Sequence, residues 1–431
     1  MLDRRMFIGS LAASAAAVAA GPLPAQEGAP APVAPFPPEV YRERRRRLMQ
    51  RMGGGVAVVF SAPPGGDIFT QDHDFAYLTG IQDEGGAALL LAPRERIHKE
   101  TLFLATRNPE DERWVGERLP IGEDMRARTG FPRVQRMGAL GPALMTAASR
   151  APEMHFLGPL APPSSPVPRA LELYGQVAAR VPGTRVVNSH GFIRDMRLIK
   201  EAGEIALIRR AVAATERGLL AGMRSARVGM TERQLREIIE AEFRAAGAEG
   251  LAFPSIVATG RSSNILHYPA GNRTIQAGDI LLCDVGASVG GYASDVTRTF
   301  PADGRFNAEQ RQVYETVLSA QEAAMAQLRP GAVFEDLHQT AAEVIARAGH
   351  IDDFWHGLGH FMGLNVHDVG DLAAPIPLNA VLTIEPGIYQ PERGFGVRIE
   401  DDYLVTQAGH EHLSRNVPRR PADIEALLAS R

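Results

Sequence analysis

The chain has 431 residues, 46 basic and 50 acidic side chains, a formal net charge of −4 and 45% hydrophobic residues. That length suits two or three domains with ample core. The mildly acidic balance gives no electrostatic case for nucleic acid, and beyond residue 26 no apolar run is long enough to span a bilayer, so nucleic-acid and integral-membrane roles are disfavoured.

At the N-terminus, Arg4-Arg5-Met6-Phe7-Ile8 precedes an alanine-rich apolar run to about Ala20, and small residues and prolines follow to Gln26. A basic n-region and a short h-region describe an export signal, and the twin arginine points to the route that carries folded proteins. Residues 1–26 are therefore expected to be a Tat-like signal and 27–38 a flexible Pro/Ala/Gly leader, with the mature protein periplasmic or secreted. Cys283 is the single cysteine, which excludes an intramolecular disulfide framework.

A helical pattern runs over 41–52 and carries Arg42 and Arg44 to Arg47, a basic run expected to be a solvated helix face. Compact apolar runs at 56–60, 87–92 and 101–105 read as buried strands, and helical patterns follow at 138–149 and 168–180. Together they predict a small α/β domain over 39–195, in which His98 and His155 are ordinary surface or structural histidines. A second domain, 196–431, opens with a long helix over 202–224. Thr231-Glu232-Arg233-Gln234 is a capping box for the next helix, which ends at Gly247.

That helical unit recurs: Gly229, Leu235 and Gly247 reappear as Gly331, Leu337 and Gly349, each 102 positions later. Each copy leads into a strand pair carrying two acids. In the first, strands over 281–287 and 292–299 flank a turn at Val289-Gly290, and Asp284 and Asp295 are equidistant from it. The simplest antiparallel register sets these carboxylates directly opposite each other, with Cβ atoms about 5 Å apart. In the second, Glu385 and Glu400 are symmetric about a turn at 391–394, and Pro386-Gly387 offers a place for a bulge. One such hairpin alone could be a solvated pair flanking a turn. A second, behind a repeated helical unit, turns the first into half of a site, because duplicated units packed about a pseudo-twofold axis bring both pairs together.

Four converging carboxylates repel strongly when buried, and two divalent cations offset their charge, so a dinuclear metal centre is the expected occupant. A further ligand is available among His356, His360 and His367. Glycines at 357, 359 and 363 argue against a helical zinc motif, so these histidines sit on loop or strand. Mostly oxygen ligation with one imidazole suits Mn(II), with Zn(II), Co(II) or Fe(II) as alternatives.

The ordered series Asp284, Asp295, His360, Glu385, Glu400, with Asp295-Val296-Thr297-Arg298-Thr299-Phe300-Pro301, Val366-His367-Asp368, Glu385-Pro386-Gly387 and Val397-Arg398-Ile399-Glu400-Asp401, resembles the pita-bread metallopeptidases of family M24. Within that family it most resembles the Xaa-Pro aminopeptidases, over about 200–425. Asp74-Phe75-Ala76-Tyr77-Leu78-Thr79-Gly80 more weakly resembles the creatinase/prolidase N-terminal domain. The resemblance implies an α/β (α+β) fold, with a creatinase/prolidase-like N-terminal domain followed by a pseudo-twofold duplicated pita-bread catalytic domain. It implies that Asp284 holds one metal and His360 the other, that Asp295 and Glu400 bridge them, and that Glu385 completes the set. A water or hydroxide between the metals would be the nucleophile, with Glu385 assisting in taking its proton. His267 and His367 would hold the peptide or stabilise the tetrahedral intermediate. His356 and Arg398, with Tyr389, would line the pocket for the residue after the scissile bond.

The expected activity is release of the N-terminal residue from Xaa-Pro-Yaa peptides by a homo-oligomer, dimer or tetramer. Prolidase, acting on Xaa-Pro dipeptides only, is the alternative within the class. A non-catalytic pita-bread binding protein is the alternative outside it, and the intact five-ligand set disfavours that reading.

Overall fold

A computed structural model of the chain describes residues 34–64, 69–115, 120–269 and 271–430. The expected export signal and the leader up to residue 33 lie outside the described residues. The helix Pro38–Arg51 opens with proline at its first position, where a missing N–H leaves no bond unmade. It precedes a four-stranded sheet in which Ala57–Phe60, Ala88–Leu91 and Glu100–Leu104 run antiparallel and Val134–Arg136 joins in parallel. The helices Leu140–Ala148 and Arg169–Ala178 pack through Leu144 and Tyr174 against Val58, Leu90 and Phe103 of that sheet. His155 is structural, as expected: it is buried, and its ring bonds Ser189 Oγ (2.8 Å) and the Met52 carbonyl (2.9 Å).

The segment 72–80 forms the helix His73–Thr79, which was not apparent from apolar periodicity. Asp72 Oδ1 accepts from the Phe75 N–H at 2.8 Å, and Gly80 closes the helix at φ 74°, in the left-handed region that glycine tolerates.

The arginine run is not a solvated face. Arg42 and Arg46 are exposed, but Arg44 and Arg45 are 1% and 0% exposed. Arg44 meets Glu201 and Glu204 at 3.0 and 3.5 Å, and Arg45 meets Glu100 at 2.6 Å. Their guanidiniums also lie over the rings of Tyr77 and Phe131, at 4.1 and 4.0 Å from the centroids. The partner acids come from elements far away in sequence, so charge patterning along the helix could not show them.

In the second half, capping boxes open the helices Ala202–Ser225 and Glu232–Ala245, the latter on Thr231 and Gln234 as expected. The repeat is built twice in detail. The Gly229 N–H donates to Ile275 O at 3.0 Å and the Ile275 N–H to Met230 O at 2.8 Å; Gly331 and Ile376 repeat this at 2.9 Å, with Ile376 N–H to Ala332 O at 2.8 Å. Both glycines hold positive φ, 91° and 84°. Helix Phe334–Arg347 stands in the second copy where Glu232–Ala245 stands in the first. The result is a mixed helix and strand architecture, a small α/β domain followed by a duplicated catalytic half. Its main apolar core includes Leu48, Leu89, Ile208, Val285 and Val397.

Register differs from expectation in the first hairpin. Strand Ile280–Val285 pairs antiparallel with Val296–Pro301 so that Asp284 faces Thr297, not Asp295, and Val289 faces Tyr292 across the turn. The turn therefore sits on Gly290-Gly291, with φ of 58° and 81°, rather than on Val289-Gly290. A tight hairpin turn with two positive φ values selects the paired glycines over a β-branched valine. Asp295 lies two positions before the partner of Asp284, so the two carboxylates share a face as diagonal neighbours. The second hairpin keeps the expected register: Ile384 faces Asp401 and Gly387 faces Arg398, equal counts on both strands, so Pro386-Gly387 inserts no bulge.

Candidate active site

Five predicted donors come from five places in the fold. Asp284 lies next to the end of the strand Ile280–Val285, and Asp295 precedes Val296–Pro301. Glu385 and Glu400 occupy the gaps between Val381–Ile384 and Gly387–Gln390 and between Phe395–Arg398 and Asp401–Thr406. His360 lies in irregular chain, as its glycine-rich surroundings require. One ligand atom each from Asp295, His360 and Glu400 falls within 4.8 Å of the others. His360 Nε2 is 3.5 Å from Asp295 Oδ2 and 3.4 Å from Glu385 Oε1.

Backbone and hydroxyl donors fix these side chains. Thr297 Oγ1 donates to Glu400 Oε2 at 2.7 Å. Thr383 Oγ1 accepts from the His360 N–H at 3.1 Å and donates to Glu385 Oε1 at 3.4 Å. The Asp295 N–H donates to the buried Asp402 Oδ2 at 3.1 Å. His360 Nδ1 lies 3.3 Å from the Phe361 carbonyl, which assigns the proton to Nδ1 and leaves the Nε2 lone pair facing the carboxylates.

The centre crowds buried carboxylates together. Asp284 Oδ1, Asp295 Oδ1 and Glu400 Oε1 are buried without a hydrogen-bond partner. Burial, reinforced by the neighbouring carboxylates, pushes Asp295 and Glu400 well above the usual carboxylate range. Burial also pushes Glu385 up to about 7, against the opposing charges of His360 and Arg398. Unpartnered carboxylate oxygens beside an imidazole lone pair are what divalent cations satisfy, so these residues fit a metal centre.

The predicted substrate residues surround the same centre. Arg398 Nη2 donates to Asp284 Oδ2 at 2.5 Å and Nη1 donates to the Tyr389 hydroxyl at 2.8 Å. Tyr389 in turn donates to His356 Nε2 at 2.7 Å, while His356 Nδ1 donates to the Gly357 carbonyl at 2.8 Å. Burial, with Arg398 adding to it, lowers His356 to about 4, so it stays neutral. The His367 ring stands edge-on to His360 at 4.2 Å, and burial and the neighbouring histidines lower its pKa. Asp284, Asp295, His360, Glu385, Glu400, His267, His356, His367 and Arg398 all line one cavity of about 890 Å³. Tyr389 reaches it through its bonds to His356 and Arg398. Sequence reasoning missed Thr297, Thr383 and Asp402. Their signal is adjacency, since each stands two residues from a predicted ligand.

A carboxylate-rich centre with one free imidazole nitrogen, lining a cavity, is the donor set of a metalloenzyme. Residues 206–407 match the metallopeptidase family M24, and residues 41–155 match the aminopeptidase P N-terminal domain. The Xaa-Pro aminopeptidases of Haemophilus influenzae and Escherichia coli are each 32% identical to the chain, over 92% and 90% of it and 98% and 97% of their own lengths. The solved structure of the Pseudomonas aeruginosa aminopeptidase PepP superposes with a TM-score of 0.82 at 33% identity, over 92% of this chain and 98% of that one. A zinc-substituted E. coli aminopeptidase P in complex with product also gives 0.82, at 29% identity, over 92% and 99%. The chain belongs to the Xaa-Pro aminopeptidases of metallopeptidase family M24, and it is a metallo-aminopeptidase. Among the described residues no helix is long and apolar enough to cross a membrane.

Proposed function

We propose that this enzyme uses two divalent metal ions to hydrolyse the bond between an N-terminal residue and a following proline in Xaa-Pro-Yaa peptides. The observation that carries the reading is that all five donors line one cavity, with Asp295, His360 and Glu400 grouped within 4.8 Å and three donors bearing unpartnered buried oxygens. Asp284, Asp295, His360, Glu385 and Glu400 would hold the ions, with Mn(II) favoured by the oxygen-rich set and Zn(II), Co(II) or Fe(II) as alternatives. When bound, such ions polarise a carbonyl and acidify a water toward neutrality.

The chain's own groups do the rest. Glu385, held beside His360 and Thr383, is placed to take a proton from the attacking water and to return it to the proline nitrogen as the C–N bond breaks. His267 and His367 line the cavity, and His367, with its pKa lowered, donates a neutral N–H to the developing oxyanion. Arg398 fixes Asp284 and Tyr389 together, and Tyr389 fixes His356 in its neutral form. This rigid wall supports acceptance of a proline ring after the scissile bond.

The test is turnover of Xaa-Pro and Xaa-Pro-Yaa peptides by purified protein with Mn(II) and after complete chelation. Metal-dependent release of the first residue from tripeptides is expected. Full activity after metal removal sinks the mechanism, and cleavage of dipeptide alone makes the enzyme a prolidase. The Arg4-Arg5-Met6-Phe7-Ile8 sequence supports export, and family resemblance supports a dimer or tetramer. Cell fractionation and light scattering test these two.

A further inference from the structure

One cavity-lining residue has no part in the mechanism above. Arg236, on the helix Glu232–Ala245, lines the cavity together with Phe253, Pro254, Tyr268 and Pro269. Its Nε is buried and has no hydrogen-bond partner among the described residues. Glu240, one turn along, approaches to 3.7 Å, which is charge contact beyond hydrogen-bond reach. Glu232, one turn back, cannot serve it: its carboxylate accepts from the Thr259 N–H and hydroxyl at 2.9 and 3.0 Å and from the Tyr268 hydroxyl at 3.0 Å.

This wall is otherwise apolar and aromatic. Family resemblance gives His356, Arg398 and Tyr389 to the residue after the scissile bond, which leaves the Arg236 wall for the residue before it. An acidic substrate side chain set against an apolar wall needs a cation of its own, and a guanidinium binds carboxylate through directional, charge-assisted bonds.

We propose that Arg236 is a specificity residue for the first residue of the substrate, selecting an acidic side chain, glutamate or aspartate, ahead of proline. The inference rests on the Xaa-Pro aminopeptidase reading and names its substrate class. Phe253, Tyr268 and the two prolines enclose the methylene stem, and the guanidinium receives the carboxylate.

The test measures kcat/KM of the Mn(II)-loaded enzyme on Glu-Pro-Leu, Leu-Pro-Leu and Lys-Pro-Leu, with wild type, Arg236→Met and Arg236→Glu. Methionine keeps most of the aliphatic stem and removes the charge. The Glu-Pro-Leu to Leu-Pro-Leu ratio should fall about tenfold to a hundredfold in Arg236→Met, the range of one charged hydrogen bond. In Arg236→Glu the preference should invert toward Lys-Pro-Leu. A ratio that stays within twofold of wild type in Arg236→Met, or an equal fall on all three peptides, overturns the proposal and reduces Arg236 to wall packing. If wild type cleaves Leu-Pro-Leu with such an insensitive ratio, this inference alone fails. If wild type cleaves none of the three, the Xaa-Pro reading fails and takes the inference with it.

Discussion

Arg398 Nη2 donates to Asp284 Oδ2 across 2.5 Å, joining the guanidinium to a predicted metal ligand with both side chains buried. The same guanidinium holds Tyr389, and through it His356, so one side chain spans the metal end and the peptide end of the cavity. Lysine carries its donors on one nitrogen and cannot place them where the separate Nη1 and Nη2 of the planar fork stand. Arg398→Lys should therefore lower kcat/KM on an Xaa-Pro-Yaa peptide by about a hundredfold with the fold retained, in line with the loss of one ligand-orienting partner. Steady-state kinetics with circular dichroism checks this, and activity within threefold of wild type would remove Arg398 from the site.

In the proposed mechanism Glu385 carries the proton between water and the departing nitrogen. Glu385→Ala should reduce kcat by at least about a thousandfold while secondary structure and melting remain close to wild type, consistent with removal of a general base. Stopped assays at saturating peptide and Mn(II) read the effect. Retained turnover assigns the proton transfer to another group.

Stripping the metal should expose the carboxylate repulsion as a pH-dependent instability. In the bare protein burial raises Glu385 from 4.5 to about 7 and raises Asp295 and Glu400 as well. The native state then binds protons that the unfolded chain has released, so its stability falls as pH rises between those values. Melting temperatures of chelated and Mn(II)-loaded protein should diverge progressively from pH 5 to pH 8, about the window set by Glu385. A constant gap across that window contradicts a carboxylate origin.

His356 should act in the opposite direction. Its pKa is lowered from 6.5 to about 4, so it is neutral in the native state while the unfolded chain takes a proton below 6.5. No stability is lost above 6.5; loss grows as pH falls and is complete near 4. Between pH 7 and pH 5 His356 should account for about 2 kcal/mol of destabilisation. Urea denaturation of chelated wild type and His356→Gln at both pH values isolates the term, and an identical pH response in the two proteins refutes it.

The candidate ligands that line the cavity were legible in the sequence because metal chemistry demands particular residue types, and the repeat behind Gly229 and Gly331 tied two hairpins into one site. In the first hairpin the turn lies one residue later than the spacing of the two aspartates suggests, which moves the partner of Asp284 by two residues, from Asp295 to Thr297. Equal spacing about a turn does not fix the turn; the positive φ values that Gly290 and Gly291 accept do. Thr297 and Thr383 were invisible as supports because a threonine in a strand usually reports β-propensity alone. Tertiary pairing also overrode local pattern at Arg44 and Arg45, whose acids lie on other elements.

That last correction has a stability consequence. Arg45 and Glu100 form a buried pair, with side chains 0% and 10% exposed and two hydrogen bonds of 2.6 and 3.2 Å. Removing one partner strands the other charge, which costs about 3 to 5 kcal/mol, whereas replacing both with apolar groups of similar volume is nearly neutral. Glu100→Ala should therefore destabilise strongly. The double variant Arg45→Met with Glu100→Leu should recover most of the loss, although Arg45 Nη1 also donates to the Leu78 carbonyl at 2.8 Å and that acceptor is left unpaired. Denaturant midpoints of wild type, Arg45→Met, Glu100→Leu and the double variant read the coupling. Additive losses would mean that Arg45 acts through packing on Phe131 and its backbone bond, not through its charge on Glu100.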